Sequence, residues 1–317
     1  MARILFTSQL FAPALESLAA HDLVVPKPKG SMSTEEIIAA AQGADAIICQ
    51  LTDRIGEEVL TAVPGLKVVA TVSVGYDNVD VTAATRAGIP VCNTPGVLAE
   101  TTADLAFALI LAASRVLSDS ERDLRAGGYK KWELDGYLGQ DVYGATLGLV
   151  GYGRIGQAVA KRAAGFSMRV IHHDMAPTGL PGFVEDLDEL VSEADVVSLH
   201  VPLTTETRHL IDARRLKLMK PTAVLVNTAR GPVVDEEALG AALESGQLFA
   251  AGIDVYENEP AVHPRLLAAP RAVLVPHVGS ASFATRLAMA KLATAAVAEV
   301  LAGGHPANTV NPGVFDN

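Results

Sequence analysis

Cysteine is nearly absent: Cys49 and Cys92 are the only two among 317 residues. Two thiols cannot build a disulfide framework, and neither Cys nor His recurs at metal-ligand spacing. Each thiol sits in an apolar, strand-like run (Ala-Ile-Ile-Cys-Gln and Ile-Pro-Val-Cys-Asn) and reads as buried and reduced, as in a cytoplasmic protein. Basic excess is missing too. Lys and Arg number 25 against 36 Asp and Glu, a net charge of −11, with no basic run, which argues against a nucleic-acid partner. Long apolar runs are lacking. The longest, from Leu105 to Ala113, lies between Asp104 and Arg115 and is too short to span a bilayer. Ile4-Leu5-Phe6 falls far short of a signal-peptide core. With 50% hydrophobic and 19% charged residues the composition is not that of a disordered chain. The expectation is an acidic, soluble, cytoplasmic protein with no membrane partner.

The length suits two domains rather than one core. Strand signals at 3–7, 46–49, 67–72 and 89–92 alternate with helix signals at 33–43, opened by the capping-box spacing Ser33-Thr34-Glu35-Glu36, and at 79–87, ended by Gly88. A long apolar helix is predicted over 101–117, with a Thr cap and Asp104 in its first turn, followed by a polar stretch over 118–139 that holds the only Trp, Trp132. A second series follows: strand 146–150, helix 155–164, and strands 169–173, 196–199, 223–227, 250–253 and 273–275. An Ala-rich amphipathic helix over 282–301, stopped by Gly303-Gly304, closes it. The predicted class is α/β: two domains, each a mainly parallel sheet flanked by helices, joined by two hinge helices. Residues 1–98 plus 282–317 form the substrate-binding domain and 99–281 a Rossmann-like cofactor domain.

Gly151-Tyr152-Gly153-Arg154-Ile155-Gly156 follows the strand Leu147-Gly148-Leu149-Val150 and opens a helix. The first Gly allows a tight turn, the second lets backbone approach a pyrophosphate, and the third lets helix and strand pack closely. Asp174 ends the next strand, eighteen positions past Gly156. A carboxylate there accepts from ribose hydroxyls and repels a 2′-phosphate, and Met175-Ala176-Pro177-Thr178 offers no cation. NAD(H) is therefore favoured over NADP(H). His172 and His173 read as ordinary strand-end residues.

Three later strands end in chemically unusual clusters: Asn227-Thr228-Ala229-Arg230-Gly231, Asp254-Val255-Tyr256-Glu257-Asn258-Glu259-Pro260 and Pro276-His277-Val278-Gly279-Ser280. In an open α/β sheet these carboxyl ends line the cofactor crevice. Reducing a 2-oxo acid takes a hydride to carbon and a proton to oxygen. His is suited to donating that proton near neutral pH, a neighbouring carboxylate stabilises its imidazolium, and a guanidinium fork grips a carboxylate or polarises a carbonyl.

The chain resembles the D-isomer-specific 2-hydroxyacid dehydrogenases over nearly its whole length. The likeness rests on Val74-Gly75-Tyr76-Asp77-Asn78-Val79-Asp80, the Gly loop, Asn-Thr-Ala-Arg-Gly, Glu-Asn-Glu-Pro and Pro-His-Val-Gly-Ser-Ala-Ser. It implies that Arg230 binds and orients the substrate, Glu259 supports the His, and His277 is the acid/base. Val74 and Gly75 N–H groups would hold the substrate carboxylate once the domains close. Thr228, Asp254 and Gly279 would touch the nicotinamide end, with Pro202 and Thr207 further along the cofactor. Within the family the pattern is most similar to glyoxylate/hydroxypyruvate reductases. Asp174 departs from that subgroup, whose members often lack the acid and prefer NADP. Leu51 and Trp132 are candidate walls of the substrate pocket, Trp132 by reaching across a dimer, with ordinary packing as the alternative for both. The resemblance also implies a homodimer formed through the cofactor domain. Two other readings stay open: a 2-ketogluconate-type sugar-acid reductase, and a non-catalytic NAD-binding scaffold of the C-terminal-binding-protein kind.

Overall fold

The computed structural model describes residues 1–26 and 29–316. It divides into two compact units, Met1–Leu98 with Ser280–Asn317, and Ala99–Gly279. The break falls two residues before the expected one because Ser280 already belongs to the turn opening the last helix. The Ser282 N–H donates to Ser280 O at 2.8 Å, and the Ser282 side chain caps that helix at Thr285 N.

The first unit holds β1 (Arg3–Phe6), β2 (Asp22–Val24), β3 (Ala46–Cys49), β4 (Val68–Thr71) and β5 (Val91–Cys92). The sheet is parallel throughout, in the order β2-β1-β3-β4-β5. Helices α1 (Thr34–Ala40), α2 (Glu57–Ala62) and α3 (Val81–Arg86) connect the strands. The capping box at α1 forms as expected: Glu36 N donates to Ser33 Oγ at 3.2 Å and Ser33 N to Glu36 Oε2 at 2.8 Å. β3 and β4 are buried at every position, which is why they read as short continuous apolar runs. The edge strand β2, three residues long and opening on an exposed Asp, carries no such signal.

The second unit opens with α4 (Ala99–Ser114) and α5 (Leu117–Arg125), correcting the single helix expected over 101–117. The helix starts two residues before the supposed Thr cap. It stops where the Gly139–Gln140 backbone comes against Ser114: Gln140 N donates to Ser114 O at 2.8 Å, and a Cβ on Gly139 would stand 3.0 Å from Arg115 Cα. Val116 then turns left-handed (φ 54°) and the chain starts α5, so part of the expected polar loop is helical. Next come β6 (Thr146–Val150), α6 (Arg154–Ala163), β7 (Arg169–His173), α7 (Leu187–Glu193) and β8 (Val196–Leu199). They are followed by α8 (Ala213–Leu218), β9 (Val224–Asn227), α9 (Glu236–Glu244), β10 (Ala250–Ile253), α10 (Pro264–Ala268) and β11 (Ala272–Leu274). The sheet order is β11-β10-β9-β8-β6-β7, all parallel. Alternation along each strand feeds two cores. Leu147, Leu149, Val224 and Val226 pack with α4 on one face, and Val150, Leu199, Leu225 and Ile253 pack with α7 and α9 on the other. β7 and β8 flank β6 on opposite sides, so the strand order reverses at the carboxyl end of β6, where such sheets bind ligands.

The final helix α11 (Phe283–Leu301) returns to the first unit and lies on β3, β4 and β5. Its buried face, Thr285, Met289, Ala290, Ala293, Thr294, Ala296 and Val297, follows the helical period. The exposed side holds the helix's charged residues, Arg286, Lys291 and Glu299, but also Phe283, Ala284 and Ala295, and the buried side includes two Thr, so the helix is less amphipathic than expected. The tail then finishes the edge of β5: Val310 N donates to Val91 O at 2.7 Å, and Val91 N donates to Asn311 Oδ1 at 2.8 Å. Among the described residues no single helix is long and apolar enough to cross a membrane.

Candidate active site

The Gly loop lies at the carboxyl end of β6, at the switch point. Gly151 is left-handed (φ 93°), and a Cβ there would stand 2.7 Å from the His200 carbonyl carbon and oxygen. A Cβ on Gly156 would collide with Gly151 O, so helix and strand approach as closely as backbones allow. Gly153 differs. It is the N-cap of α6, and a Cβ on it meets nothing within 4 Å. Open space over a helix N-terminus, walled by glycines that only backbone can occupy, fits a pyrophosphate. Arg154 and Ile155 form the first turn of α6, Arg154 exposed and Ile155 packed on the core. Thr228, past the end of β9, adds a second sign: its Oγ1 is buried without a hydrogen-bond partner among the described residues. These residues fit a dinucleotide.

Asp174 follows β7 and braces the loop. Its Oδ2 accepts from Tyr152 N at 2.9 Å and its Oδ1 from Met175 N at 2.8 Å. Each oxygen keeps lone-pair capacity for a ribose hydroxyl. His172 is more than a strand-end residue. It is fully buried, stacked on Tyr152 at 3.8 Å between ring centroids and bonded through Nε2 to Thr178 Oγ1 at 2.7 Å. Burial lowers its pKa against the pull of Asp174. Pro202 and Thr207 belong to one turn beyond β8, in which Thr207 Oγ1 donates to Pro202 O at 2.7 Å and accepts from Thr204 N at 2.7 Å.

Arg230, Glu259 and His277 follow β9, β10 and β11, three neighbouring strands of one sheet. His277 Nδ1 and Glu259 Oε2 are 2.8 Å apart, and Glu259 Oε1 accepts from Tyr256 N at 3.0 Å. Burial pushes the Glu259 carboxyl up, but the His277 bond and charge, the Tyr256 N–H and the Arg230 charge outweigh it and hold the group below the usual Glu range. Arg230 Nη1 donates to Ala229 O at 2.9 Å. His277 itself is left-handed (φ 50°), a conformation uncommon outside Gly. Asp254 holds that turn, accepting from Val278 N at 2.6 Å and Gly279 N at 2.8 Å. Burial pushes the Asp254 carboxyl above its usual range, against the pull of those donors and of His277. A carboxylate on Nδ1 leaves Nε2 as the ring nitrogen able to give or take a proton. The arrangement is an acid/base pair beside a guanidinium.

Val74 and Gly75 lie in the first unit, in the bend after β4. Asn93 Nδ2 donates to Val74 O at 2.7 Å, and Ser73 Oγ donates to Gly75 O. Neither the Val74 nor the Gly75 N–H donates to another described residue. Leu51 is half-buried in the loop after β3. Trp132 is 73% exposed on the stretch after α5. Both thiols are buried and free. Burial, with Asp53 adding, pushes the Cys49 thiol up to about 12, and burial pushes Cys92 up to about 11. Among the described residues no group of three or more His, Cys, Asp or Glu stands ready for a metal ion.

Several supporting residues escape a sequence reading. In the first unit the fully buried Asp53 takes bonds from Thr7 Oγ1 and from Gln50 N at 2.7 Å. Asn78 reaches Gln50 O at 3.0 Å and Asp53 O at 2.9 Å, tying the Leu51 loop to the 73–78 bend. In the second unit Asn227 closes the Arg230 turn, donating to Arg230 O at 2.9 Å and accepting from Ala229 N at 3.0 Å. His200 lies beside Gly151, bonded to Ser198 Oγ at 3.0 Å, and burial lowers it to about 4. Only Asn78 and Asn227 carried a signal, as polar residues inside the motifs quoted above.

A dinucleotide cradle at the switch point, with an acid/base pair and a guanidinium on neighbouring strand ends, defines a nicotinamide-dependent oxidoreductase of the two-unit α/β type. The description "D-isomer specific 2-hydroxyacid dehydrogenase, NAD binding domain" matches residues 107–279. The chain belongs to the D-isomer specific 2-hydroxyacid dehydrogenase family. It is similar to a glyoxylate reductase of Thermococcus onnurineus (strain NA1), 42% identical across 99% of this chain and 97% of that one. Among solved structures it is similar to the TT0316 protein from Thermus thermophilus, with TM-score 0.92 and 47% identity over 97% of this chain and 99% of that one. It is also similar to an NADPH-dependent glyoxylate/hydroxypyruvate reductase from Sinorhizobium meliloti in complex with NADP and malonate, with TM-score 0.88 and 34% identity over 99% of this chain and 98% of that one. The substrate is accordingly a small molecule and the cofactor a nicotinamide dinucleotide.

Proposed function

We propose that this enzyme reduces glyoxylate, and hydroxypyruvate as its larger analogue, to the D-2-hydroxy acid with NADH as the preferred reductant. The observation that carries the reading is the 2.8 Å bond between His277 Nδ1 and Glu259 Oε2, on a strand end next to that of Arg230. When bound, the nicotinamide would supply the hydride that the carbonyl carbon takes up. His277 donates the proton to the carbonyl oxygen from Nε2, while Glu259 holds the ring and stabilises its charged form. Arg230 orients the substrate through its planar fork. In the first unit the Val74 and Gly75 N–H groups serve a carboxylate, a role supported by their having no other described acceptor. Gly153 and the N-terminus of α6 serve the pyrophosphate, with Gly151 and Gly156 letting the turn and the helix pack closely enough to present them. Thr228, Asp254 and Gly279 serve the nicotinamide end, and Pro202 and Thr207 serve the stretch between.

Asp174 supports the preference for NADH, since a 2′-phosphate would meet a carboxylate already fixed by two backbone N–H groups. The protein acts as a homodimer through its cofactor unit. The support is an apolar surface a monomer would leave wet: Leu117, Leu124, Trp132, Leu134 and Leu138 are each more than half exposed, beside a cavity of about 690 Å³ lined by Leu117, Leu124, Tyr129 and Tyr137. Trp132 serves the partner's pocket, a role supported by its exposure, and Leu51 is the wall within its own unit. Its place of work is the cytoplasm, in keeping with two buried, reduced thiols.

The test compares kcat/KM for glyoxylate, hydroxypyruvate, pyruvate and 2-ketogluconate with NADH and NADPH. Glyoxylate or hydroxypyruvate should lead with NADH. A preference for the sugar acid would change the substrate and keep the mechanism, and NADH binding without turnover would replace the enzyme by a scaffold. Asp174→Ala should lower the ratio of NADH to NADPH efficiency by about tenfold or more. An unchanged ratio would take the ribose from Asp174.

A further inference from the structure

The acidic cluster that carries Glu259 also contains Glu257, which the proton-transfer pair does not use, and Glu257 leads to a buried carboxylate elsewhere in the chain. Glu236, in the first turn of α9, is 4% exposed. A buried glutamate normally pairs with a cation. Here both oxygens are taken by backbone. Oε1 accepts from Glu257 N, and Oε2 accepts from His263 N at 2.9 Å. Those donors stand two residues before Glu259 and four after it, so one carboxylate spans the loop that carries the catalytic glutamate.

The contact is reciprocal. Glu257 Oε1 accepts from Glu236 N at 3.0 Å, and its Oε2 meets His209 Nε2 at 2.9 Å. His209 in turn donates its own backbone N–H to Pro232 O at 2.7 Å, inside the Arg230 loop. Gly231, next to Arg230, lies so close to the Tyr256–Glu257 peptide that any Cβ would collide with it. Segment 257–263 and segment 230–236 are thus joined at five points: Gly231 on the peptide, His209 between both, each glutamate on the other's backbone, and Glu236 on His263 N.

We propose that Glu236 is a positioning residue, whose buried carboxylate sets Glu259 in register with the Arg230 loop and so fixes the Glu259–His277 bond. The proposal rests on the acid/base reading given above. A buried charge satisfied only by peptide N–H groups is costly to keep, and a packed apolar residue could cap neither donor. What the charge supplies is a single placement of the loop. Glu259 faces His277, Arg230 and Asp254, so a small drift of that loop alters both the ring's partner and its electrostatics.

The test is Glu236→Gln, which keeps size but presents an N–H to one of the two donors. Two readouts are needed. Turnover of glyoxylate with NADH should fall about 10- to 100-fold in kcat, with the Kd for NADH within about twofold of wild type. The Glu259 carboxyl titration, followed by 13C NMR of labelled glutamate and assigned with Glu259→Gln, should move up toward the usual Glu range. Glu236→Asp keeps the charge but is one methylene short, so it should fall between Gln and wild type in both readouts, and it carries the test if the Gln variant does not fold. A folded Glu236→Gln enzyme with wild-type kcat and an unmoved Glu259 titration overturns the proposal and leaves Glu236 a helix-end residue. The titration needs no substrate. A wild-type protein that turned over no 2-oxo acid would defeat the functional reading without touching that measurement.

Discussion

Glu259→Gln removes one charge and almost nothing of shape. In the native site Oε2 meets His277 Nδ1 at 2.8 Å and Oε1 accepts from Tyr256 N at 3.0 Å. The glutamine oxygen can serve only one of them. If it keeps the Tyr256 N–H, the amide NH2 faces Nδ1, the ring must turn that nitrogen into an acceptor, and its protonated form loses its counter-charge. Coulomb's law at 2.8 Å with an effective dielectric of about 20 gives roughly 6 kcal/mol for the full pair. Both side chains are a fifth to a quarter exposed, so water recovers part of that, and the range for a hydrogen bond to a charged group, about 1.5–3 kcal/mol, is the better guide. That corresponds to a loss of about 10- to 150-fold in kcat/KM. The assay is NADH oxidation with glyoxylate over a range of pH, together with an NADH titration. Because the Glu259 carboxyl is held below the usual range, its ionised, supporting form persists below the ordinary carboxylate pKa and is lost only as pH falls through the depressed value. The variant should therefore lose the part of the acid limb that belongs to Glu259 and keep NADH affinity. A kcat/KM within about twofold of wild type, with the acid limb in place, would refute the pairing of Glu259 with His277 as the source of catalysis.

Gly153→Ala should cost at most about 1 kcal/mol of stability, since φ is −71° and the added methyl meets nothing within 4 Å. NADH affinity should nevertheless fall about tenfold or more, because the methyl stands where the pyrophosphate comes in. Thermal melting beside an NADH titration checks both, and undiminished binding would mean the open space is not the cofactor's. Asp188→Asn tests an electrostatic anchor outside the site: Arg214 foremost, with Arg215, holds Asp188 at about 2. That contribution is present above the ordinary Asp value of about 3.8 and is lost as pH falls toward about 2. The variant should be less stable than wild type near neutrality, with the difference closing in acid. A gap that stays constant across the acid melt would remove the charge from the explanation.

Strands buried on both faces were the most legible elements. Ala46–Cys49, Thr146–Val150 and Val196–Leu199 begin and end in the structure where the apolar runs begin and end in the sequence. The break between α4 and α5 was not legible, because Ala-Ser-Arg-Val-Leu is compatible with continued helix. What ends α4 is a carbonyl claimed by Gln140, twenty-six residues on. The site divides in the same way. Arg230, Glu259 and His277 announce themselves because each is a polar, reactive residue closely following an apolar strand, and the Gly loop because its spacing answers to a backbone geometry. Their supports do not. Glu236 follows a helix-capping Asp and looks like any first-turn acid, Asp53 looks like a surface loop carboxylate, and His200 looks like the end of a strand. In each case the role comes from a partner outside the local pattern, and no motif encodes it.

The return of α11 and the tail to the first unit fixes an order of events during synthesis. Strands β1 to β5 leave the ribosome first, yet the helix that lies on β3, β4 and β5 and the Asn311 side chain that closes the β5 edge come last. The whole second unit is made in between, and its residues are complete at Gly279. At roughly 5–20 residues per second, the interval between β5 and the tail lasts roughly 10–45 s. For that time the first-made sheet has an uncovered apolar side and an unpaired edge, the two features that invite association with other nascent chains. The unit begun first is finished last, so a substitution at the buried Met289, Ala293 or Val297 should lower soluble yield both by loosening the finished fold and by weakening the docking that ends the exposed period.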